Sequence, residues 1–234
     1  VLRELSNRLN YLRNLETRKE EVIRLIEEQG KLTKELKKDI SGADTLQRVD
    51  DLYRPYKQKR RTRATIAKEK GLEGLANTIM AQEVSDEEFK NILGTYINEE
   101  KEEALSGAMD IIAENISDDA EYRAKIKKIA WDKGIIVVVG IDKEESTVYE
   151  MYYDYKERVK SIANHRILAI NRGEKEKKLK ISLNINDDII DLLNILIIKD
   201  EKKIANTYLK AAISDGYKRL LFPSIEREIR NNLT

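Results

Sequence analysis

The spacing of apolar residues along most of the chain follows the three-to-four-residue repeat of an amphipathic α-helix. The first such stretch carries apolar residues at Leu2, Leu5, Leu9, Leu12, Val22, Ile23 and Ile26. It predicts one long helix, or two helices joined near Glu16, ending at Gly30. A short helix capped by Thr33 and a third helix over residues 44–53 complete a helix-turn-helix-like outline. The same outline is typical of a plain helical hairpin that buries its leucines.

Helical patterns continue between residues 62 and 134. They comprise a basic helix at 62–70, a helix at 72–80, a capping box made by Ser85 with Glu88, a helix opening at Asn98, and a helix running from Ser117 to Gly134. We therefore expect an array of helices up to this point.

Three stretches depart from the helical repeat and predict a small sheet. Residues 135–141 are mostly β-branched between glycines, residues 147–153 form a second candidate strand, and residues 179–185 alternate apolar and polar positions. A helix capped by Asn164 is predicted between the last two strands. Helices return at 187–199, at 201–221 and from Pro223, which suits a first helical position.

The predicted fold is therefore mainly α, a multi-helix array with a helix-turn-helix-like N-terminal part and a small α+β insert. We divide it into an N-terminal helical region at 1–134, the insert at 135–185, and C-terminal helices at 186–234 that pack back on the scaffold. The chain opens at Val1 inside a helical pattern and closes inside another, which is typical of a fragment of a longer polypeptide.

Composition narrows the chemistry. The 234 residues include no cysteine and one histidine, His165, so disulfides, thiolate metal sites and cysteine nucleophiles are excluded. Paired acids at 118–119 and 187–188 lie at predicted helix starts, where a carboxylate stabilises the helix dipole. No glycine-rich phosphate loop, G-x-S-x-G or H-E-x-x-H motif occurs. We predict no catalytic residues, no metal site and no cofactor, hence a protein that is not an enzyme.

The longest apolar runs, at 135–139 and 192–198, are far shorter than a bilayer span, and the N-terminus lacks the apolar stretch of a signal peptide. We therefore expect a cytoplasmic protein with no membrane partner.

One segment concentrates positive charge. Residues 54–70 hold eight basic residues against the single acid Glu69, although the whole chain, with 44 Lys and Arg and 43 Asp and Glu, has a net charge of only +1. Cations of this density, with aromatic rings among them, are typical of a surface that binds phosphates and stacks bases. The predicted nucleic-acid-binding residues are Tyr53, Tyr56, Lys57, Lys59, Arg60, Arg61, Arg63, Lys68 and Lys70.

The remainder of the chain is acidic, which supports an alternative. The same cations could pair with acidic helices of this chain or of further domains, making the region a protein-interaction and architectural module that does not itself bind nucleic acid. Charge reversal at Arg60 and Arg61 separates the two hypotheses. Loss of binding with unchanged melting favours nucleic acid, and a large fall in melting temperature favours architecture.

Nine short stretches of the sequence match those of one protein family and occur in the same order. They are EQGKLT at 28–33, DLYRPYK at 51–57, KRRTRATIA at 59–67, GLE at 71–73, DY at 154–155, HRILA at 165–169, RGE at 172–174, YKRL at 217–220 and PSIE at 223–226. Together they resemble the N-terminal region of the bacterial transcription accessory proteins of the Tex type. Residues 41–48 lack the Thr-Glu-Leu-Glu run associated with that family.

The resemblance implies a largely helical, multidomain, non-catalytic protein that binds RNA or DNA and influences transcription. It implies, as partners, nucleic acid, downstream domains and the transcription machinery. The family's RNase-H-like domain, helix-hairpin-helix modules and OB-fold would all follow Thr234. We therefore expect this chain to correspond to the N-terminal scaffold of such a protein, with auxiliary, sequence-nonspecific contacts to phosphates.

Overall fold

Three helices form the N-terminal part of the fold in the computed structural model, which describes residues 2–96, 101–185, 188–200 and 203–233. They are α1 (Leu2–Glu28), α2 (Lys34–Ser41) and α3 (Leu46–Tyr53). Helix α1 continues past Glu16, so the one-helix alternative is confirmed. The Thr33 hydroxyl accepts a hydrogen bond from the Leu36 N–H at 3.1 Å, which confirms the predicted cap. Gly30 follows the end of α1 with a φ of +67°, a conformation that favours glycine.

These helices bury an apolar cluster of their own. Its buried members are Leu15, Val22, Ile26, Ile40, Ala43, Val49 and Leu52. The leucines nearer the start of α1, from Leu2 to Leu12, lie outside this cluster and are exposed. We call residues 2–56 the N-terminal unit.

The remaining helices form the helical body. They are α4 (Arg63–Glu69), α5 (Glu73–Ala81), α6 (Asp86–Thr95), α7 (Lys101–Asp118), α8 (Ala120–Lys133), α9 (Asn164–Lys175), α10 (Ile189–Ile197), α11 (Ile204–Asp215) and α12 (Phe222–Asn232). Helices α4, α5 and α11 pack directly on α7. A π-helical segment, Gly216–Leu221, joins α11 to α12.

Several predicted helix starts can be checked. The capping box of Ser85 and Glu88 is confirmed, because the Glu88 N–H donates to the Ser85 hydroxyl at 3.2 Å and the Glu88 carboxylate accepts from the Ser85 N–H at 2.8 Å. The predicted start at Ser117 is wrong, because α7 continues through Asp118 and Asp119 caps α8. Asn164 is the first residue of α9 rather than its cap, which is Ala163. The predicted starts at Asn98 and at residues 187 and 201 lie outside the described residues.

The strands form one antiparallel sheet in the order β2-β1-β3. They are β1 (Ile135–Gly140), β2 (Asp154–Arg158) and β3 (Leu179–Asn184). The first and third confirm their predictions. The predicted strand at 147–153 is wrong, since Glu150–Tyr152 forms a 3₁₀ turn and the strand follows it. Three tyrosines at 149, 152 and 153 are buried there, and their spacing fits a helical turn rather than the alternation of a strand.

A single apolar cluster fills the rest of the molecule. It extends from Ala64 to Ile229 and includes the inward faces of the sheet and the C-terminal helices. The predicted boundaries near 134 and 185 do not coincide with a break between clusters, and the division into three regions stays a prediction. The break between the two clusters falls between Leu52 and Ala64, within the stretch that holds the first part of the basic segment.

Candidate nucleic-acid interface

The basic segment 54–70 lies along α7. It starts with a 3₁₀ turn, Arg54–Tyr56, continues without regular structure, and enters α4 after Thr62, whose hydroxyl accepts from the Thr65 N–H at 3.1 Å. Ala64 and Ala67 are buried on the inner side of α4. On α7, Gly107 allows close approach, since a Cβ there would stand 2.4 Å from a Leu72 methyl carbon. The segment is therefore attached to the helical body along its length.

Two cations of the segment point into the protein. The Arg54 Nε donates to Asp118 Oδ1 at 2.9 Å, and the Lys59 ammonium contacts the other oxygen of the same carboxylate. Lys59 also lies 3.5 Å from Glu114 Oε2. Because Asp118 is only 5% exposed, its charge depends on these two partners for compensation. Lys59, predicted to contact nucleic acid, is therefore engaged within the protein.

Three further cations have partners at the surface. Arg61 pairs with Glu69 at 2.9 Å, Lys68 lies 3.8 Å from Glu73, and Lys70 contacts Glu103. All of these side chains are more than a third exposed. Exposed pairs of this kind contribute at most about 1 kcal/mol, so a phosphate could replace the carboxylate at little cost.

The remaining cations of the segment are Lys57, Arg60 and Arg63. All three are exposed, and within the described residues none has a carboxylate partner. They are the part of the predicted site that retains full positive charge toward solvent. Of the eight cations of the segment, Arg54 and the four residues just described have carboxylate partners within the protein, and the other three have none among the described residues.

The two predicted stacking residues are held by the N-terminal unit. Tyr53 is half-buried against its apolar cluster, and the Arg18 guanidinium lies 5.6 Å from the centre of the ring. Tyr56 is also half-buried there, and its carbonyl accepts a hydrogen bond from Gln29 Nε2 at 3.0 Å. Packing of both rings within the protein leaves less ring surface for bases.

A buried cluster of four charges lies behind the segment, and sequence reasoning missed it. Arg123 on α8 is fully buried; its Nε donates to Asp51 at 2.8 Å and its terminal nitrogen contacts Glu228. Lys127 pairs with the same two carboxylates, at 2.5 Å to Asp51 and 2.7 Å to Glu228. The cluster connects α3, α8 and α12. A signal was available, because Arg123 shares the buried face of α8 with Ile126 and Ala130.

Helix α3, the second helix of the helix-turn-helix-like pair, faces this cluster. Gln47 donates to Glu228 at 2.8 Å, and Arg48 donates to the Ala120 carbonyl at 3.1 Å and also contacts Glu121. With Asp51 engaged by Arg123, the polar side chains of α3 that would read a DNA groove are occupied by the protein body. We call this contact of α3 and the Arg54 turn with α7, α8 and α12 the charged junction.

The described part of the chain offers little for metal or membrane chemistry. It contains no group of three or more histidine, cysteine or acidic residues placed to hold a metal ion. Among the described helices, none combines the length and hydropathy needed to cross a bilayer.

Comparison with known proteins identifies the family. A family profile described as Tex central region-like matches residues 83–234, well over half of the chain. The chain belongs to the Tex family. The predicted resemblance is thereby confirmed, and the profile places the matched residues in what it describes as the central region of Tex proteins.

Individual relatives match all or nearly all of the chain. The uncharacterized protein YdcI of Bacillus subtilis is 46% identical over all of the chain and 34% of its own length. The transcriptional accessory protein Tex of Neisseria gonorrhoeae is 37% identical over 99% of the chain and 32% of its own length. The human S1 RNA-binding domain-containing protein 1 is 26% identical over all of the chain and 25% of its own length. The chain thus spans about a third or less of these relatives.

The match to the Tex relatives includes the basic segment, although the profile begins after it at residue 83. Both the segment and the charged junction therefore lie in the aligned portion. One of these relatives is named a transcriptional accessory protein, and another is named for an S1 RNA-binding domain.

Proposed function

We propose that this region is a non-catalytic scaffold of a Tex-type transcription accessory protein, in which the basic segment fixes the N-terminal unit to the helical body. The observation that carries the proposal is the buried Asp118 carboxylate, which forms ion pairs with Arg54 through one oxygen and with Lys59 through the other. A cation bound to a buried carboxylate of its own chain serves architecture, because releasing it would leave the carboxylate uncompensated.

The orientation of α3 supports the same function. In a helix-turn-helix reader the second helix projects into the major groove of DNA. Here α3 is turned inward, with Arg48 and Asp51 bound to α8. A scaffold of this kind holds the N-terminal unit at a fixed angle to the domains that the longer relatives contain. In this proposal its setting is the cytoplasm, and its partners are those domains and the transcription machinery.

The scaffold proposal is tested by neutralising the two anchoring cations together, Arg54→Gln with Lys59→Gln. We expect the free energy of unfolding to fall by about 3 kcal/mol, since Asp118 would remain buried without a cation. The matched control is Arg61→Gln with Lys68→Gln, which removes the same charge from exposed pairs and should change stability by less than about 0.5 kcal/mol. Equal losses in urea denaturation of the two variants would contradict the proposal.

A second function is favoured by Lys57, Arg60 and Arg63, which are exposed and lack carboxylate partners within the described residues. They could bind phosphates of RNA or DNA without reading sequence. Arg61, Lys68 and Lys70 could join them by exchanging weak surface pairs for phosphates. The names of the Tex relatives, one of which specifies an RNA-binding domain, support a role next to nucleic acid.

This second function predicts a salt dependence. If the three free cations each neutralise one phosphate, the logarithm of affinity should fall against the logarithm of salt with a slope of about −2 on single strands and about −3 on duplex. Arg60→Glu with Arg63→Glu should abolish this binding and leave the melting temperature unchanged. Lys125→Glu with Lys128→Glu, at exposed lysines of α8, is the charge-matched control.

Fluorescence anisotropy with a labelled single-stranded RNA and a DNA duplex, at two salt concentrations, measures both slopes. A response that does not change with salt, or equal losses in both variants, would remove nucleic-acid binding and leave the scaffold. Metal-dependent nuclease activity abolished by one aspartate substitution would contradict the non-catalytic assignment.

A further inference from the structure

The outer face of the three-stranded sheet carries an apolar stripe. On the central strand β1, Ile135, Val137 and Val139 alternate with the buried Ile136 and Val138. Ile135 and Val137 are half-buried, and Val139 is 36% exposed. Just beyond the strand, Ile141 lies in a bend, is 61% exposed, and donates its N–H to the Lys178 carbonyl at 2.9 Å.

Cations flank this stripe on both neighbouring strands. The register places Arg158 opposite Ile135, Lys156 opposite Val137 and Lys180 opposite Val139. Directly opposed residues of an antiparallel pair project from the same face. All three cations are exposed, and within the described residues none of them has an ion-pair partner.

The other residues of this face do not cancel that charge. On β2, Asp154 lies opposite Val139 and binds Lys143 at 2.8 Å. On β3, Ser182 and Asn184 complete the flank as neutral polar residues. The face therefore has three uncompensated positive charges arranged beside an apolar centre.

We propose that this outer face, the β1 stripe with Lys156, Arg158 and Lys180, is a docking surface for an amphipathic helix that carries acidic residues along its flank. The inference is independent of the scaffold role and of the basic segment. The helix would lie along β1 with its apolar side on the stripe. Its carboxylates would lie mainly over β2, where Lys156 and Arg158 stand about 7 Å apart along the strand.

Dimensions support this occupant. The cations of β2 and β3 are separated by two strand spacings, about 10 Å, and a helix with its side chains is about 10–12 Å wide. The stripe from Ile135 to Ile141 spans six residue steps, about 20 Å. A helix of about 13 residues has that length.

The chemistry of the face disfavours other occupants. Its outward residues on the three strands include no aromatic side chain, so single-stranded nucleic acid would have no platform for its bases. A second copy of the same face would bring like charges together, which opposes association. An amphipathic helix with acidic flanks would cover the apolar centre with its apolar side and pair its carboxylates with the cations.

The test uses the 234-residue chain and a labelled 15-residue peptide with leucines at helical spacing and glutamates beside them. Anisotropy at low salt should show binding of this peptide and at least tenfold weaker binding of a mirror peptide with lysines in place of the glutamates. Lys156→Glu with Arg158→Glu should weaken the acidic peptide at least tenfold and favour the mirror peptide. Lys125→Glu with Lys128→Glu, at exposed lysines of α8, should leave its affinity unchanged.

The apolar half of the proposal has its own variant. Val139→Ser with Ile141→Ser removes exposed apolar surface without changing charge, and it should weaken the acidic peptide at least fivefold. Circular dichroism of both face variants should match the parent chain. Equal affinity for the two peptides, or affinity unaffected by the face variants, would overturn the proposal. So would binding of a 12-residue oligouridine that the Lys156 and Arg158 reversals abolish, since the face would then serve nucleic acid.

Discussion

Two interfaces of this molecule differ in their chemistry, since one is formed by charged side chains and the other by small residues. The N-terminal unit meets the helical body at the charged junction, where Arg123, Lys127, Asp51 and Glu228 are engaged with one another. Within the body, α7 meets α4 and the π-helical segment after α11 through small residues, where Gly107 and Gly216 let backbones and side chains approach closely. One interface depends on charge complementarity and the other on shape.

This difference in chemistry gives the two interfaces different roles in stability and in orientation. Apolar packing stabilises the body over a broad area and tolerates apolar substitutions that conserve volume. Buried ion pairs add little net stability over an apolar replacement, but they strongly penalise any arrangement in which one charge loses its partner. The junction is therefore suited to fixing the orientation of the N-terminal unit, and the body is suited to supplying stability.

The largest expected effect comes from breaking the junction at its buried centre. Arg123→Met removes a fully buried cation and leaves Asp51 and Glu228 to share Lys127. We expect a loss of about 3–5 kcal/mol in the free energy of unfolding. Urea denaturation checks it, followed both by circular dichroism and by the fluorescence of Trp131, the single tryptophan of the chain, which lies on α8.

The matched control is Arg61→Met, which breaks the exposed pair with Glu69 and should cost less than about 1 kcal/mol. If the two arginine variants lost equal stability, the distinction between junction and surface would fail. Separate transitions by the two probes in Arg123→Met alone would sharpen it, because they would show the N-terminal unit melting apart from the body.

An intermediate effect is expected from overpacking the body. In Gly216→Ala the new Cβ would lie 2.9 Å from the Ala113 carbonyl oxygen and 3.0 Å from its Cα, and backbone on α7 cannot move aside as a side chain can. We expect a loss of about 1–3 kcal/mol, measured by thermal denaturation. Gly74→Ala is the control, since its Cβ would meet only the Tyr96 hydroxyl, at 3.3 Å, and alanine is the better helix former. A stable Gly216→Ala variant would show that α7 and α11 are loosely packed.

Sequence periodicity predicted most of the helices and strands, because each depends on the spacing of residues that are close together in the chain. The helix α1, the cap at Thr33 and the strands β1 and β3 all follow from residues within a few positions of one another. The strand β2 was placed several residues too early, because tyrosines that pack in a 3₁₀ turn have the same composition as a strand.

The pairing of the basic segment could not be predicted in the same way. Its density of cations is visible locally, but the partner of Arg54 and Lys59 is Asp118, which lies 64 and 59 residues further along the chain. The partner of Lys70, Glu103, lies 33 residues away. A local count of charge therefore identifies a segment rich in cations. Only the folded structure shows how many of these cations pair with carboxylates of the same chain.

The smallest expected effect tests a local feature of the body that involves no contact with the junction. Ser85→Ala removes the hydroxyl of the capping box at the start of α6 and should lower the free energy of unfolding by about 1 kcal/mol.

The capping box also predicts a pH dependence. A hydrogen bond from the Ser85 N–H, and a weaker one from its hydroxyl, lower the pKa of Glu88 below its ordinary value of 4.5. A carboxyl with a lowered pKa in the folded state stabilises the fold above its unfolded pKa, and that stabilisation is lost as the pH falls through the lowered value. The melting difference between Ser85→Ala and the parent chain should therefore be full at pH 7 and smaller at pH 3, because the contribution of the carboxylate decreases below its unfolded pKa. If the difference were the same at both pH values, the carboxylate would have no part in the cap, and the effect of Ser85 would come from its hydroxyl bond to the Glu88 N–H alone.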